Sequence, residues 1–454
     1  MTGLSNTTLV PSTQPVQAPD TDGPQDAQDS LEARDSLEAQ SMRRAAAATA
    51  LAAAADHQVP GAAERQRIIG AGAVEATAEG AQVRLSNGRT VLDFGSYAVT
   101  LFGHRPPTVI EAVHRALDEM PVTTRLLVNP HAANLAARLA NTVAPGRLDR
   151  VWLGLNGSDA VEAALKLAIA RTGRPAALAV QGGFHGKSMG ALALTADQAR
   201  RAPVQGFLGD VRHIAWEPDA VARAAQEAPF AALIFEPVQG EGGGRALPVE
   251  LLRRWSADAH AAGAFVIADE IQCGLRRCGP VSLAVELGLE PDAVLLGKPL
   301  GGGVMPLSAA MCSPELFAPL VEDPFFHTTT FGGHPASCAA GLAALDLLDA
   351  LADRFEPLGA LLSQGMADLA GRHPQLVTEA RCTGLLAAVE FGNETQAGLT
   401  VLEAGRRGLL VAQCLTAPTV LRLLPPVVIT NEQLASALEI LDASCRVVQR
   451  RTAR

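Results

Sequence analysis

The stretches AFVIADEIQCG (264–274) and DAVLLGKPLGGG (292–303) decide how this chain folds. Each is a short apolar run that ends in a charged side chain, Asp269 in the first and Lys298 in the second. Apolar runs of this length, bounded by turn-forming residues, are typical of strands buried on both faces of a parallel sheet. The sequence therefore predicts two buried strands that carry a carboxylate and an amine at their carboxyl ends.

Further strand-like runs alternate with helical segments beyond residue 110. Helices are predicted from about residue 158 and near 249–262, and the strand-like runs that alternate with them are VWLGL (151–155), AALAVQ (176–181) and AALIFE (231–236). This alternation predicts an α/β fold in which helices cover a mostly parallel sheet. Ligands bind such sheets at the carboxyl ends of the strands, where Asn156, Ser158 and Glu236 also lie.

The chain is predicted to divide into four parts. Residues 1–45 lack apolar periodicity and are rich in Ser, Thr, Pro, Gln and Asp, which predicts a disordered acidic tail. Residues 46–110 are predicted to contribute to a smaller lobe. Residues 111–345 are predicted to form a large domain built on the parallel sheet, and residues 346–454 a smaller α+β domain.

Bulk composition restricts the function. Aromatic residues make up 4% of the chain and no basic patch dominates the net charge of -10, which argues against nucleic-acid binding. Seven cysteines without a CxxC pair indicate reduced thiols. The sequence shows no signal peptide and no membrane span, so the prediction is a cytoplasmic enzyme with a small-molecule substrate.

Lysine is rare: only three of the 37 Lys and Arg residues are lysines, namely Lys166, Lys187 and Lys298. A lysine amine can lose its proton in a shielded site and form an imine with a carbonyl, whereas an arginine cannot. Lys298 follows a buried strand and is the candidate for this chemistry. Lys166 lies four residues after Glu162 on a predicted helix, so a surface ion pair is the preferred interpretation for it.

Two further patterns carry candidate chemistry. The run NGSDAVEAALKLA (156–168) opens a helix after a strand, so its free amides form a candidate phosphate site, with an N-cap role for Ser158 as the alternative. Asp269 is a candidate partner for the protonated ring nitrogen of a cofactor. A Mg²⁺ site or an acid/base pair formed with Glu270 stays open at this point.

Seven motifs of the chain resemble those of the class III aminotransferases and occur in the same order. The resemblance covers roughly residues 65–450. Within this family the motifs are most similar to those of putrescine aminotransferases, and less so to those of ornithine and acetylornithine aminotransferases. It implies pyridoxal 5'-phosphate (PLP) as cofactor and PLP-dependent transferase fold type I, with a seven-stranded sheet in the large domain. The motifs are GSDAVEAALKLA (157–168), GGFHGKSMGALALT (182–195), EPVQGEGGG (236–244), ADEIQCG (268–274), GKPLGGGVMP (297–306), HTTTFGGHP (327–335) and LRLLPP (421–426).

The resemblance also implies roles at the cofactor ring. Lys298 matches the lysine that forms a Schiff base with PLP, and Asp269 the aspartate that holds the pyridine nitrogen. Phe184 matches the residue stacked on one ring face and Ile271 the residue on the other. Gln272 matches the residue that approaches the ring hydroxyl.

Outside the ring, the resemblance implies that Gly157 and Ser158 bind the phosphate together with Thr330 of a partner subunit, which makes a homodimer. Glu241 and Arg422 resemble a switch pair in which the glutamate masks the arginine until a carboxylate substrate arrives. A loop turn and a strand-surface charge are the alternatives for these two residues. The resemblance further matches Lys187 to a carboxylate-binding position, whereas His185 is assigned a structural role.

The activity that the resemblance implies is ping-pong transfer of an amino group from an amine or ω-amino acid to a keto acid. Several residues depart from the family pattern around the cofactor, so elimination, replacement or annulation on an amino acid is kept as an alternative. A non-catalytic scaffold is the third hypothesis. The departures are Leu155, Asn156, Cys273, Arg276, Cys278 and His334.

Overall fold

The computed structural model describes residues 24–452, and burial is described from residue 41. The helices are α1 Pro24–His57, α2 Pro60–Ile69, α3 Pro107–Glu119, α4 Pro130–Val143, α5 Gly157–Thr172, α6 Met189–Leu194, α7 Gln198–Arg201, α8 Ala220–Glu227, α9 Val249–Ala261, α10 Leu283–Glu286, α11 Pro314–Glu322, α12 Pro335–Ala350, α13 Ala352–Arg372, α14 Glu394–Arg407 and α15 Asn431–Thr452. Short 3-10 turns lie at Ser96–Ala98, Ala202–Phe207 and Lys298–Gly301.

The strands form four sheets within the described residues. Their bounds are β1 Glu75–Glu79, β2 Gln82–Leu85, β3 Thr90–Asp93, β4 Arg150–Gly154, β5 Ala177–Val180, β6 Val211–Ile214, β7 Ala232–Phe235, β8 Val238–Gln239, β9 Arg245–Ala246, β10 Phe265–Asp269, β11 Ala293–Leu296, β12 Ser308–Cys312, β13 Val377–Thr383, β14 Leu386–Phe391, β15 Leu409–Leu410, β16 Ala412–Gln413 and β17 Val420–Leu423.

The central sheet has seven strands in the order β4-β12-β11-β10-β7-β5-β6. Strand β12 runs antiparallel to both of its neighbours, β4 and β11. The remaining pairs, from β11 to β6, are parallel. The mostly parallel seven-stranded sheet confirms the predicted fold class.

Helices cover both faces of this sheet. Every residue of β5, β7, β10 and β11 is buried. Because successive strand residues point to opposite faces, Phe265 and Ile267 of β10 join the apolar cluster that contains α5, and Val266 and Ala268 join the cluster that contains Trp255 of α9. Burial on both faces explains why these strands are apolar throughout rather than alternating.

The two smaller four-stranded sheets connect the ends of the chain. One has the order β1-β2-β3-β15 and the other β13-β14-β17-β16. Strand β15 runs parallel to β3 and pairs Leu409 with Leu92. Strands β1 to β3 therefore share a sheet with β15 of the C-terminal part, and the predicted division into domains stays a prediction.

The structure differs from the predicted tail in part. Residues 1–23, part of the predicted tail, lie outside the described residues. Residues 24–45, however, belong to α1, a helix of 34 residues. The physical reason is composition: from residue 25 to residue 59 the chain has neither glycine nor proline and is rich in Ala, Glu, Gln and Arg, which are strong helix formers.

Within residues 24–452, no single helix is long and apolar enough to span a membrane, and one pair, α12 with α13, passes by length and composition only when counted together across a 70° bend. No group of three or more His, Cys, Asp and Glu side chains in the same residues is arranged to hold a metal ion.

Candidate functional site

The loops that follow five strands of the central sheet meet at one cavity. Strands β4, β5, β7, β10 and β11 all run in the same direction, so their carboxyl ends lie along one edge. The cavity has a volume of about 200 Å³. Its lining residues are Asn156, Gly157, Ser158, Phe184, His185, Gly186, Glu236, Asp269, Ile271, Gln272 and Lys298.

The first wall is the N-terminus of α5. Asn156 is the N-cap, since its side chain accepts a hydrogen bond of 3.2 Å from the backbone N–H of Asp159. Capping by Asn156 excludes the N-cap alternative for Ser158, whose side chain lines the cavity instead. A Cβ atom on Gly157 would lie 3.0 Å from the side chain of Ile271, a tight contact that glycine avoids. Free amides and a small residue at a helix start suit a phosphate group.

Asp269 ends β10 at the floor of the cavity and is only 3% exposed. Its Oδ2 lies 2.7 Å from Nδ1 of His185, and its Oδ1 accepts a hydrogen bond of 3.1 Å from the backbone N–H of Ile271. Burial lowers the pKa of His185, but the hydrogen bond and charge of Asp269 outweigh burial, and the pKa is raised. The two side chains therefore form a buried, polarised pair.

Glu270 does not share a site with Asp269. Its carboxylate accepts hydrogen bonds from the Ser282 hydroxyl and from the backbone N–H groups of Leu283 and Ala284, at 2.7 to 2.8 Å, at the start of α10. Burial raises the pKa of Glu270 to about 6. The two adjacent carboxylates thus bond to different groups, and together they form neither a Mg²⁺ site nor an acid/base pair.

Glu236, just beyond β7, is the second buried carboxyl group that lines the cavity. Its oxygens accept hydrogen bonds from the backbone N–H groups of Phe184, at 2.8 Å, and Gly240, at 3.3 Å. Burial raises the pKa of Glu236 to about 7. The sequence places Glu236 at a strand end but gives it no role, whereas the structure shows that it fixes the backbone of the predicted ring-stacking residue.

Lys298 enters the cavity immediately after β11. Its backbone φ is 42°, in the left-handed region that non-glycine residues rarely adopt and that is enriched at functional sites. Burial, together with the positive charge of Arg422, lowers the pKa of the Lys298 amine. A lowered pKa increases the neutral fraction of the amine, which is the nucleophilic form.

Glu241 and Arg422 form a buried ion pair next to the cavity. Each is 2% exposed, and Nη1 of Arg422 donates to Oε1 of Glu241. Oε2 of Glu241 also accepts a hydrogen bond of 2.9 Å from the backbone N–H of Leu415. Burial acts to raise the pKa of Glu241, but the charge and hydrogen bonds of Arg422 keep it below its ordinary value. The same Nη1 donates to Oε1 of Gln272 at 2.8 Å.

Three predicted residues lie elsewhere. Thr330 and Lys187 are exposed and do not line the cavity of their own chain.

The ion pair predicted between Lys166 and Glu162 is wrong. Nζ of Lys166 donates a hydrogen bond of 2.6 Å to the backbone carbonyl of Phe326 and lies 4.4 Å from the centre of the Phe326 ring. Glu162 instead accepts from the backbone N–H of Gly190 at 2.9 Å. Both side chains thus reach other segments, which spacing along one helix does not reveal.

Sequence reasoning missed the contribution of His185. The structural role assigned to it is incomplete, because its ring bonds directly to Asp269 and lines the cavity. The available signal was its position in the loop after β5, at the same sheet edge as Asp269. Gly186 is the other missed residue: a Cβ atom there would lie 2.2 Å from Oγ of Ser158, so glycine keeps the candidate phosphate site open.

Comparison with known proteins agrees with the family that the sequence motifs resemble. The family described as Aminotransferase class-III matches residues 67–444. The chain belongs to the class III aminotransferases. It is 39% identical over 381 residues to a putrescine aminotransferase from Pectobacterium atrosepticum, covering 81% of each chain.

Solved structures of this class III aminotransferase's relatives agree. The ornithine aminotransferase from Toxoplasma gondii superposes with a TM-score of 0.76 at 29% identity, covering 84% of this chain and 92% of that one. A PLP-bound amine transaminase from an uncultivated Pseudomonas species gives a TM-score of 0.75 at 27% identity, covering 83% and 95%. These matches identify a PLP-dependent aminotransferase and do not favour elimination, replacement or annulation.

The cavity of this class III aminotransferase fits PLP. Gly157 and Gly186 stand where side chains would close the space beside Ser158 and Ile271. The lining residues supply an amine, Lys298, and a carboxylate, Asp269, from adjacent strands. An aldehyde, a ring nitrogen and a phosphate each have a matching group among these residues, which is the set of contacts that PLP requires.

Proposed function

We propose that this class III aminotransferase moves the amino group of a diamine or an ω-amino acid of the ornithine type to a keto acid in a ping-pong reaction. The observation that carries the proposal is the opening of Lys298 and Asp269 into one cavity from adjacent strands. The 39% identity to a putrescine aminotransferase supports the substrate class. When bound, PLP supplies an electron sink for the substrate carbon.

The proposed roles follow from position and charge. Lys298 would hold the cofactor by its aldehyde and, as a free amine, would move a proton at the substrate carbon. Asp269 would hold the ring nitrogen in its protonated form, with His185 supporting the carboxylate. Phe184 and Ile271 would pack against the ring.

The test of this function is a half-reaction. The PLP-loaded protein is incubated with putrescine or ornithine without an acceptor, and the cofactor is then recovered. We expect it to carry the amino group, with a carbonyl product in equal amount, and to regain its aldehyde when a keto acid is added. An unchanged cofactor together with loss of a β or γ substituent, or with a new carbon–carbon bond, would instead establish the alternative reaction class.

We further propose that Glu241 masks Arg422 until a carboxylate-bearing substrate displaces it. A primary amine such as a diamine carries no carboxylate, and a closed pair presents a neutral surface to it. A keto acid brings a carboxylate that competes with Glu241 for the guanidinium. One site can in this way accept both partners of a ping-pong reaction.

Glu241→Gln tests the masking role. The neutral amide no longer competes for Arg422, so we expect the ratio of kcat/KM for the keto acid to kcat/KM for the diamine to rise about tenfold, the size of one buried charge pair. The two half-reactions are measured separately by stopped-flow absorbance. Glu379→Gln is the matched control, since Glu379 pairs with Arg381 and is 53% exposed. Equal changes in both half-reactions would contradict the switch.

A homodimer is proposed to complete the phosphate site. Nη1 of Arg125 donates to the carbonyls of Thr329 and Thr330 and thereby joins two exposed segments. Large apolar side chains on these segments are exposed, which is unusual for a monomer surface and typical of an interface. They are Leu126 (90%), Leu127 (78%), Val128 (82%), Phe325 (82%) and Phe331 (51%).

Thr330→Ala is expected to weaken PLP binding about tenfold, because one hydrogen bond to a phosphate in the partner's site is lost. The dissociation constant is measured by titrating apoprotein with PLP, and the dimer is followed by sedimentation. Thr328→Ala, an exposed threonine two residues away, is the control. A dimeric Thr330→Ala protein with the affinity of the control would rule out this contact.

Three further assignments are kept as proposals. Lys187 is proposed to attract substrate carboxylates at the entrance, in keeping with its exposure. The cytoplasm is proposed as the location, and a biosynthetic pathway as the setting. The division at residues 110 and 345 into the small lobe, the PLP-binding domain and the C-terminal domain is proposed with them.

A further inference from the structure

Gln272 connects the buried ion pair with the cavity. Its side chain lines the cavity and is 4% exposed. Its Oε1 accepts a hydrogen bond of 2.8 Å from Nη1 of Arg422, which also donates to Glu241. Neither Arg422 nor Glu241 lines the cavity. Gln272 therefore contacts the ion pair on one side and the cofactor site on the other.

The bond to Arg422 fixes which end of the amide faces the cavity. A guanidinium only donates hydrogen bonds, so it must face the amide oxygen, and the NH₂ group must face elsewhere. In residues 24–452 the Nε2 atom of Gln272 has no hydrogen-bond partner. Gly240 packs closely on this amide, since a Cβ atom there would lie 2.0 Å from Oε1. Because the side chain lines the cavity, a donor on it without a protein partner indicates an acceptor on the ligand.

We propose that Arg422 acts on the cofactor through Gln272, by orienting the amide so that its NH₂ group donates to the hydroxyl oxygen of the PLP ring. This inference rests on the proposed function of the site. It makes Gln272 a positioning residue and gives Arg422 a second task besides meeting a substrate carboxylate.

Loss of the proposed hydrogen bond is expected to shift the pH dependence of the visible absorbance in one direction. A donor at the ring oxygen stabilises negative charge there, which lowers the affinity of the ring oxygen and the Lys298 nitrogen for the proton they share. The visible absorbance of the loaded protein changes when this proton is lost. Removing the donor is therefore expected to raise the pH midpoint of that change by about one unit.

The experiment is a double-mutant cycle on the PLP-loaded protein with Gln272→Met and Arg422→Met. All variants carry Glu241→Gln, because removal of Arg422 alone would leave a buried carboxylate unpaired. If Arg422 acts through Gln272, the two single shifts in midpoint will not add, and the double variant will resemble Gln272→Met, because Arg422 has no further effect once Gln272 is absent. Arg381→Met is the control, since Arg381 donates to the carbonyl of Gly243 on the same loop at 2.9 Å. Its shift is expected to add to that of Gln272→Met.

Additive shifts for Gln272→Met and Arg422→Met would overturn the inference and leave Arg422 acting by charge alone. An unchanged midpoint in Gln272→Met would overturn it as well. Failure of the proposed function looks different: cofactor recovered after incubation of the wild-type protein with putrescine or ornithine would then be unchanged, whatever the pattern of the shifts in midpoint.

Discussion

Replacement of Lys298 by alanine is expected to lower turnover about 10⁴-fold, the upper end of what a positioned acid/base contributes. The variant loses both the amine that binds the aldehyde and the group that moves the proton at the substrate carbon. Turnover is measured with putrescine at saturating PLP. In parallel, borohydride reduction of the loaded wild-type protein followed by peptide mapping is expected to label residue 298, and the variant to remain unlabelled.

Lys166→Ala is the matched control for this experiment. Lys166 is also a lysine on the central domain, but its Nζ is held by the carbonyl of Phe326 outside the cavity. We expect its turnover to stay within a factor of about two of wild type, as for a surface substitution. A borohydride label at residue 166 or 187, or wild-type turnover in Lys298→Ala, would exclude Lys298 as the reactive lysine.

The central strands were predictable because nearly all of their residues are apolar, as burial on both faces requires. The runs at 231–236, 264–270 and 292–297 match β7, β10 and β11 within one or two residues. These strands lie in the middle of the sheet, where both faces are covered and only apolar residues are stable. Their carboxyl ends also had to lie at one edge, which located the site before any contact was known.

Two strands of the same sheet left no comparable signal. Strand β6, VRHI, lies at the sheet edge and only Ile214 in it is fully buried. Strand β12, SAAMC, is entirely buried but consists of small and flexible residues with no β-branched side chain. Its conformation is decided by pairing with β4 and β11 on either side. Such pairing is a tertiary effect that local propensity does not contain.

The candidate site, like the sheet, was predictable only in part. Lys298 and Asp269 were predicted because an amine and a carboxylate at strand ends are informative by themselves. The bonds of His185 to Asp269 and of Arg422 to Gln272 join residues 84 and 150 positions apart. Side-chain partners at such separations depend on how the elements pack, so the sequence named the residues but not their contacts.

Asp269→Asn is expected to lower turnover about 10²- to 10³-fold, the range found when one preorganised electrostatic group is removed. The amide keeps the size of the carboxylate but not its charge, so the ring nitrogen of PLP loses the partner that keeps it protonated. His185 loses its charged neighbour in the same step, since Asp269 is what raises the pKa of that imidazole against burial. Turnover, PLP affinity and the visible spectrum of the loaded variant are measured together.

Glu270→Gln is the control, because Glu270 is the adjacent and equally buried carboxyl group, yet it bonds to Ser282 and the start of α10 rather than lining the cavity. We expect Glu270→Gln to lower the melting temperature with little change in turnover of the folded protein, and Asp269→Asn to do the reverse. Turnover in Asp269→Asn within a factor of about ten of wild type falls below the range for such a group and would show that another residue holds the ring nitrogen. An equal loss in both variants would show that the effect comes from the fold of the loop after β10, since only one of the two carboxylates faces the cofactor site.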